Sequence, residues 1–286
     1  QLPVGVLIAD ADTGHILFGN QHAESITGFQ AGPQAPLLGE HPFSAWRGDG
    51  SRYTPEEWPL SRALLRHETV REEEMLFTRR EGAPAAMRVS AAPVMDAFGK
   101  VVAAVTAFSD LTAHKEAEGR LNFLVEASHI LASSLDYEET LRALTRLCVP
   151  TLADWCAIDM LEETGVTQRL AVAHVDPARV AFAEALYNRY AGKPQADWGI
   201  PRILRTGQPA FAPEIRAAFL AEVTADPQQH EVIRQLGLHS YIGVPLTARG
   251  KVLGVLSLAL SETQRSYGEQ DLRFAVELAE RAAVAV

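Results

Sequence analysis

Apolar runs bounded by polar turn residues recur along this chain in two successive sets of strands, each interrupted by short helices. Val4 to Asp10 is an apolar run, Ala11-Asp12-Thr13-Gly14 turns the chain, and His15 to Gly19 returns, which predicts a hairpin. Asn20 is placed to cap a short helix carrying Ala23 and Ile26, closed by Gly28. Gln30 to Trp58 is rich in Gly and Pro; a structureless loop of that length is improbable in a domain, so we expect short helical turns lining a cavity. Pro59-Leu60 opens another helix ending near Arg66. Val70 to Thr78, Met87 to Met95 and Val101 to Phe108 then read as a three-stranded meander. Together these elements predict an open five-stranded antiparallel sheet with helices on one side.

A helix follows, capped by the short oxygens of Asp110-Leu111-Thr112. Ala117, Leu121, Leu124, Ser128, Leu131 and Leu135 recur at alternating spacings of four and three, the stripe that keeps one face against a partner helix. The alternative is an amphipathic helix packed on its own domain. Further on, Thr140 to Leu147 reads as helix, Trp155 to Leu161 and Val166 to His174 as a hairpin, and Pro177 to Tyr190 as helix. Pro201 to Arg205, Pro213 to Leu220 and Pro227 to Leu236 are shorter helices. Ser240 to Thr247 and Val252 to Leu260 form a second hairpin, and a last helix from Glu269 carries Leu272, Ala275, Ala279, Ala282 and Val286 on one seam.

Length and charge refine this picture. The 286 residues suit about two domains. Up to Asp110 there are 9 basic and 14 acidic residues, and beyond it 17 and 22, so each part is acidic. Neither has the basic surface that would hold nucleic acid or an anionic membrane. No apolar run approaches the roughly 18 residues of a membrane span. Two cysteines, Cys148 and Cys156, are too few for a disulfide framework and fit a reduced, cytoplasmic setting. Gln1 in place of an initiator Met, and an apolar helix running up to Val286, lead us to expect a piece of a longer protein.

No catalytic or metal motif is complete, and we expect no metal site. Arg249-Gly250-Lys251-Val252-Leu253-Gly254 lacks phosphate-loop spacing and reads as a hairpin turn. His230-Glu231-Val232-Ile233-Arg234 has Arg where a zinc motif needs its second His. It also lacks the following Pro and the Gly-rich ATP-binding boxes expected around a phospho-accepting His. Cys148 and Cys156 are expected as small buried hydrophobes, with a redox enzyme built on them as the alternative. His67, between Arg66 and Glu68, has the setting of a surface residue rather than a haem ligand.

The first segment resembles a PAS domain. Gly19-Asn20-Gln21-His22-Ala23, Val89-Ser90-Ala91-Ala92-Pro93-Val94 and above all the exit Phe108-Ser109-Asp110-Leu111-Thr112 carry the likeness. The second segment is similar to a GAF domain, through Leu152-Ala153-Asp154-Trp155-Cys156-Ala157-Ile158-Asp159, Leu204-Arg205-Thr206-Gly207-Gln208-Pro209 and Leu238 to Leu246 followed by Arg249 to Leu256. The resemblance implies an α+β chain: a PAS domain over 1–110, a signalling helix over 111–136, and a GAF domain over 137–286 ending in an output helix. It further implies a sensory input region, homodimeric through its helices, that relays a small-molecule signal to an effector beyond Val286. The owner implied is a bacterial histidine kinase, with serine phosphatases and cyclic-dinucleotide enzymes as alternatives, and the segment itself is expected not to be an enzyme.

Known ligand signatures of these families are missing. Residues 20–66 hold no Cys for a flavin photoadduct. Gly199-Ile200-Pro201 lacks the Asp of the bilin motif, and the cyclic-nucleotide signature and the cysteine set of the sulfoxide reductases are absent. The cofactor is therefore left unassigned. Candidate pocket residues are Trp46, Trp58, Met75, Phe77 and Met87 in the first segment, and Trp155, Asp159, His174, Trp198, Arg202 and Tyr241 in the second, with core packing as the alternative for each. Asp110, Thr112, Leu121, Leu124, Leu131 and Leu135 are the candidate relay.

Overall fold

A computed structural model of the chain describes residues 4–28, 43–79, 84–190, 198–216, 219 and 234–286. Backbone contacts divide it into two units, Gln1–Gly119 and Arg120–Val286. In the first unit, β1 (Gly5–Asp10) and β2 (Ile16–Gly19) form the expected hairpin. Helix α1 (Gln21–Thr27) is capped by Asn20, whose Oδ1 accepts the N–H of Ala23 at 2.8 Å, and it ends at Gly28 with φ 67°. The Asn20 side chain also holds β1, accepting from Val6 N and donating to Val4 O.

Next come β3 (Phe43–Trp46), a 3-10 turn (Pro55–Glu57), α2 (Pro59–Arg66), β4 (Val70–Arg79), β5 (Ala85–Met95) and β6 (Val101–Asp110). The sheet runs β2-β1-β6-β5-β4-β3, all antiparallel. It has six strands where five were expected. The extra strand is β3, four residues inside the Gly- and Pro-rich stretch, too short to show a period of its own. The expected helical turns appear there only as Pro55–Glu57; residues 29–42 lie outside the described ones. Period-two alternation turns Leu7 and Ala9, Met75 and Phe77, Met87 and Val89, and Ala104 and Phe108 inward, where α1 and α2 cover them.

A bulge in β4 re-aims one charged side chain. Pairing steps from Val70↔Ala91 to Glu73↔Val89, with Glu72 at φ 48° absorbing the extra residue. This turns Glu73 to the inner side. Arg62 of α2 forms an ion pair with it, and the Tyr53 hydroxyl donates to it at 2.8 Å. Burial and Glu73 together push the Tyr53 hydroxyl up to about 12. The cluster ties α2 to the sheet.

Helix α3 (Thr112–Leu131) begins in the first unit and ends in the second. The second unit continues with α4 (Tyr137–Leu147), β7 (Trp155–Leu161), β8 (Thr167–His174), α5 (Ala178–Tyr190), α6 (Ile200–Thr206), β9 (Ala210–Ala212), β10 (Ser240–Ala248), β11 (Lys251–Leu260) and α7 (Glu269–Val284). Its antiparallel sheet runs β8-β7-β11-β10-β9. The three-residue β9 was not foreseen. Of the expected helix Pro213–Leu220, residues 213–216 are not helical and most of the rest lies outside the described residues. Most of Pro227–Leu236, His230 included, also lies outside them.

One sheet face carries Cys156, Ile158, Ile242, Val244, Leu246, Leu256, Leu258 and Leu260 against α3, α4 and α7. The packing on this face corrects two expectations. Helix α3 stops at Leu131, before Ser133 and Ser134, so Leu135 is off the helix and fully exposed. Leu124 and Leu131, with Phe123 and Ala127, pack into the second unit's own core rather than facing a partner helix. The Phe123 and Phe274 rings meet edge to face at 5.7 Å, and Arg281 of α7 donates to Ser128 Oγ at 2.9 Å. The alanines of the α7 seam, Ala275, Ala279 and Ala282, are likewise buried in this core. What α3 leaves outside is a second stripe, with Leu121 60% and Val125 50% exposed.

Candidate functional site

In the first unit α2 and the inner sheet face line a partly open cavity of about 80 Å³. Trp58, Met75, Phe77 and Met87, four of the five expected residues, line it. Trp46 does not: on β3 the alternation turns Ala45 inward and Trp46 outward, where Arg52 lies over its ring at 5.8 Å. Val89, Thr106 and Phe108 also line the cavity and were missed. The same period-two reading that picks Met75 and Phe77 reaches them once it is carried across β5 and β6. Phe108 can lie flat over β1 because its partner there is Gly5; a Cβ at Gly5 would stand 2.5 Å from the ring. His67 sits at the C-terminal cap of α2, exposed and outside the cavity.

The cavity adjoins the start of α3. Met87 pairs with Asp110, and Phe108 precedes it by two residues. Leu111 N donates to Ala86 O at 2.7 Å, and Thr112 Oγ1 accepts Ala86 N at 3.0 Å. Asp110 Oδ1 accepts the N–H of Thr112, the first residue of the helix, at 2.7 Å. Leu111 and Thr112 therefore hold the first turn of α3 to β5, one residue from the cavity wall at Met87, and Asp110 holds Thr112.

In the second unit the other sheet face carries the remaining candidates. One row across the strands reads His174, Trp155, Ala259, Tyr241, Ala212. The Trp155 and His174 rings lie 3.9 Å apart, and His174 Nδ1 meets the backbone N–H of Asp176 at 2.9 Å. Trp198 packs on Tyr241 at 5.0 Å and on Phe219 at 5.5 Å. Burial pushes the Tyr241 hydroxyl up to about 12, and it shares a hydrogen bond with Ser257 at 3.1 Å. Asp159, with no exposed side-chain surface, is held by Arg169 through two bonds of 3.0 and 3.1 Å. Arg169 was missed, although it lies opposite Asp159 in the expected hairpin. Arg202 instead ties α6 to the following chain, donating to the Pro209 carbonyl at 3.3 Å.

Asp154, at the edge of β7, holds a turn. Its carboxylate accepts the backbone N–H groups of Ser261, Glu262 and Thr263, each at 2.8 Å, and the Thr263 hydroxyl at 2.6 Å. Burial opposes ionisation, but these donors outweigh it and bring the carboxyl down to about 2. Cys148 and Cys156 are fully buried on the α3–α7 side, and burial pushes the Cys156 thiol well up. Among the described residues no cluster of His, Cys, Asp and Glu could hold a metal, and no helix is long and apolar enough to cross a membrane.

These two sheets, with a helix leading from one to the other, define a tandem of sensory domains. The PAS domain family model matches residues 3–113 and the GAF domain family model residues 136–286, more than half of the chain. The chain belongs to the GAF domain family and carries a PAS domain ahead of its GAF domain. Solved structures similar to it include three GAF-containing proteins. The GAF domain of a phosphoenolpyruvate-protein phosphotransferase from Coxiella burnetii is 20% identical, covering 59% of this chain and 92% of its own, with a TM-score of 0.44. That of the corresponding Acinetobacter protein is 17% identical, covering 58% and 90%, with a TM-score of 0.43. A GAF domain/HD domain protein from Geobacter sulfurreducens is 17% identical, covering 55% and 95%, with a TM-score of 0.42. No curated protein matches the chain.

Proposed function

We propose that the chain is the input region of a bacterial histidine kinase. In this reading the PAS cavity takes a small molecule, α3 carries the consequence onward, and an effector beyond Val286 receives it. The chain itself performs no catalysis, works in the cytoplasm, and acts as a homodimer. The observation that supports the reading most is the contact chain from the cavity residue Met87, through Ala86, to Thr112 at the head of α3. A ligand that moves β5 alters the bonds that start the helix. For the dimer, the support is the exposed stripe of Leu121 and Val125, one helical turn apart on α3. Serine phosphatases and cyclic-dinucleotide enzymes remain the alternative owners. The redox alternative is disfavoured by the full burial of both thiols.

Replacing Thr112 by Val removes the acceptor for Ala86 N–H while keeping the side chain's shape. Amide exchange over residues 112–119 is expected to quicken about fivefold, the effect of one hydrogen bond worth about 1 kcal/mol. Exchange in β1 and β6 should hold. Unchanged exchange in α3 would show that this bond does not govern the helix start and would remove the main support for the relay.

A further inference from the structure

We propose that the PAS cavity is a site for a small, uncharged, apolar molecule of hydrocarbon character and rejects polar or ionised ones. This rests on the reading of the PAS domain as a ligand-receiving domain and adds the class of ligand. The observations are the chemistry of the walls. Its described lining is mainly Leu, Ile, Val, Met, Phe and Trp side chains, and the polar side-chain groups among these residues are the hydroxyls of Thr27 and Thr106 and the indole N–H of Trp58. Both hydroxyls donate inward to the fold: Thr27 Oγ1 to Ala23 O at 2.7 Å and Thr106 Oγ1 to Ser90 O at 2.9 Å.

Glu73, the carboxylate that the bulge turns to this side of the sheet, is engaged by Arg62 and Tyr53. A polar ligand would give up its bonds to water and find few in return. An apolar space offers water few hydrogen bonds and accepts apolar guests, whereas a polar one holds water. At about 80 Å³ the space is small. Two of its walls are adaptable, because Met75 and Met87 face each other across β4 and β5 and their unbranched side chains can reshape around a guest.

The four methionines of the chain supply the test. With methyl-labelled Met in the whole chain, Met75 and Met87 report the cavity; Met95, exposed on the sheet, and Met160, in the GAF domain, serve as controls. Xenon and toluene are expected to shift the Met75 and Met87 signals and leave the controls unmoved. Toluene at several times its Kd is expected to raise the PAS melting temperature by about 5 °C. Phenol and benzoate, of similar size but polar and ionised, should do neither. Ala45→Leu, which fills the cavity, should abolish the toluene response; if that variant does not fold, the comparison among probes in the unaltered chain decides. Phenol or benzoate acting as strongly as toluene would overturn the ligand class while leaving a ligand-receiving cavity. No response to any probe would overturn both, and equal shifts of all four methyls would show binding without a site and overturn the proposal.

Discussion

Replacing Arg169 by Met is expected to destabilise the GAF domain by about 3–5 kcal/mol. Asp159 has no exposed side-chain surface, and Arg169 meets it with two hydrogen bonds, itself 19% exposed. Removing the guanidinium leaves a buried carboxylate without its counter-charge, which is far costlier than the pair was worth. The double replacement Asp159→Leu with Arg169→Met removes both charges and should recover most of the loss, to within about 1 kcal/mol of the original. Denaturant unfolding of the three chains checks this. Single and double variants of equal stability would contradict it, and would mean that water reaches Asp159 in the folded domain. The pair lies on the sheet face that carries Trp155, Trp198 and Tyr241.

The second large effect is expected at Asp154. Asp154→Ala strips the acceptor from three backbone N–H groups and one hydroxyl, and should destabilise the GAF domain by about 3 kcal/mol. The carboxylate also sets a pH dependence with a definite sign. Its folded value lies near 2, below the ordinary 3.8. The stabilisation is therefore complete above about pH 4 and is lost as pH falls towards 2, a change of about 2 kcal/mol. Unfolding followed between pH 5 and pH 2 should show the gap between the original chain and the Ala variant narrowing by about that amount. A gap that stays constant would show that Asp154 is not held as a carboxylate by the turn at Ser261–Thr263.

Much of this architecture was legible because local chemistry and tertiary structure agree. Asn20 and Gly28 mark both ends of α1, and Asp12-Thr13-Gly14 marks the first hairpin; each has one conformation that satisfies it. The two GAF hairpins were legible from apolar runs on either side of a turn, Glu162 to Gly165 and Ala248 to Gly250. The failures came where the decisive partner is distant. Strands of four and three residues, Phe43–Trp46 and Ala210–Ala212, are too short to show a period and form because a neighbouring strand offers hydrogen bonds. Trp46 is a candidate for the cavity wall by residue type, yet the alternation on β3 gives the inward position to Ala45. The stripe on α3 was read correctly as apolar, but spacing does not say what covers it. Leu124 and Leu131 found their own domain's core, and Ser133 and Ser134 cut the helix before Leu135. Apolar lining residues such as Val89 and Phe108 look like core from sequence, because a cavity is a gap between side chains that no single residue announces.

Occupancy of the PAS cavity is proposed to be felt at the head of α3, and the relay stands or falls on that coupling. Amide exchange of the whole chain with and without saturating toluene tests it most directly. The expected result is a change in protection over residues 112–119 together with that in β5 and β6, abolished by Ala45→Leu. Toluene that shifts Met75 and Met87 while α3 exchanges at an unaltered rate would contradict it, leaving a cavity that binds without signalling.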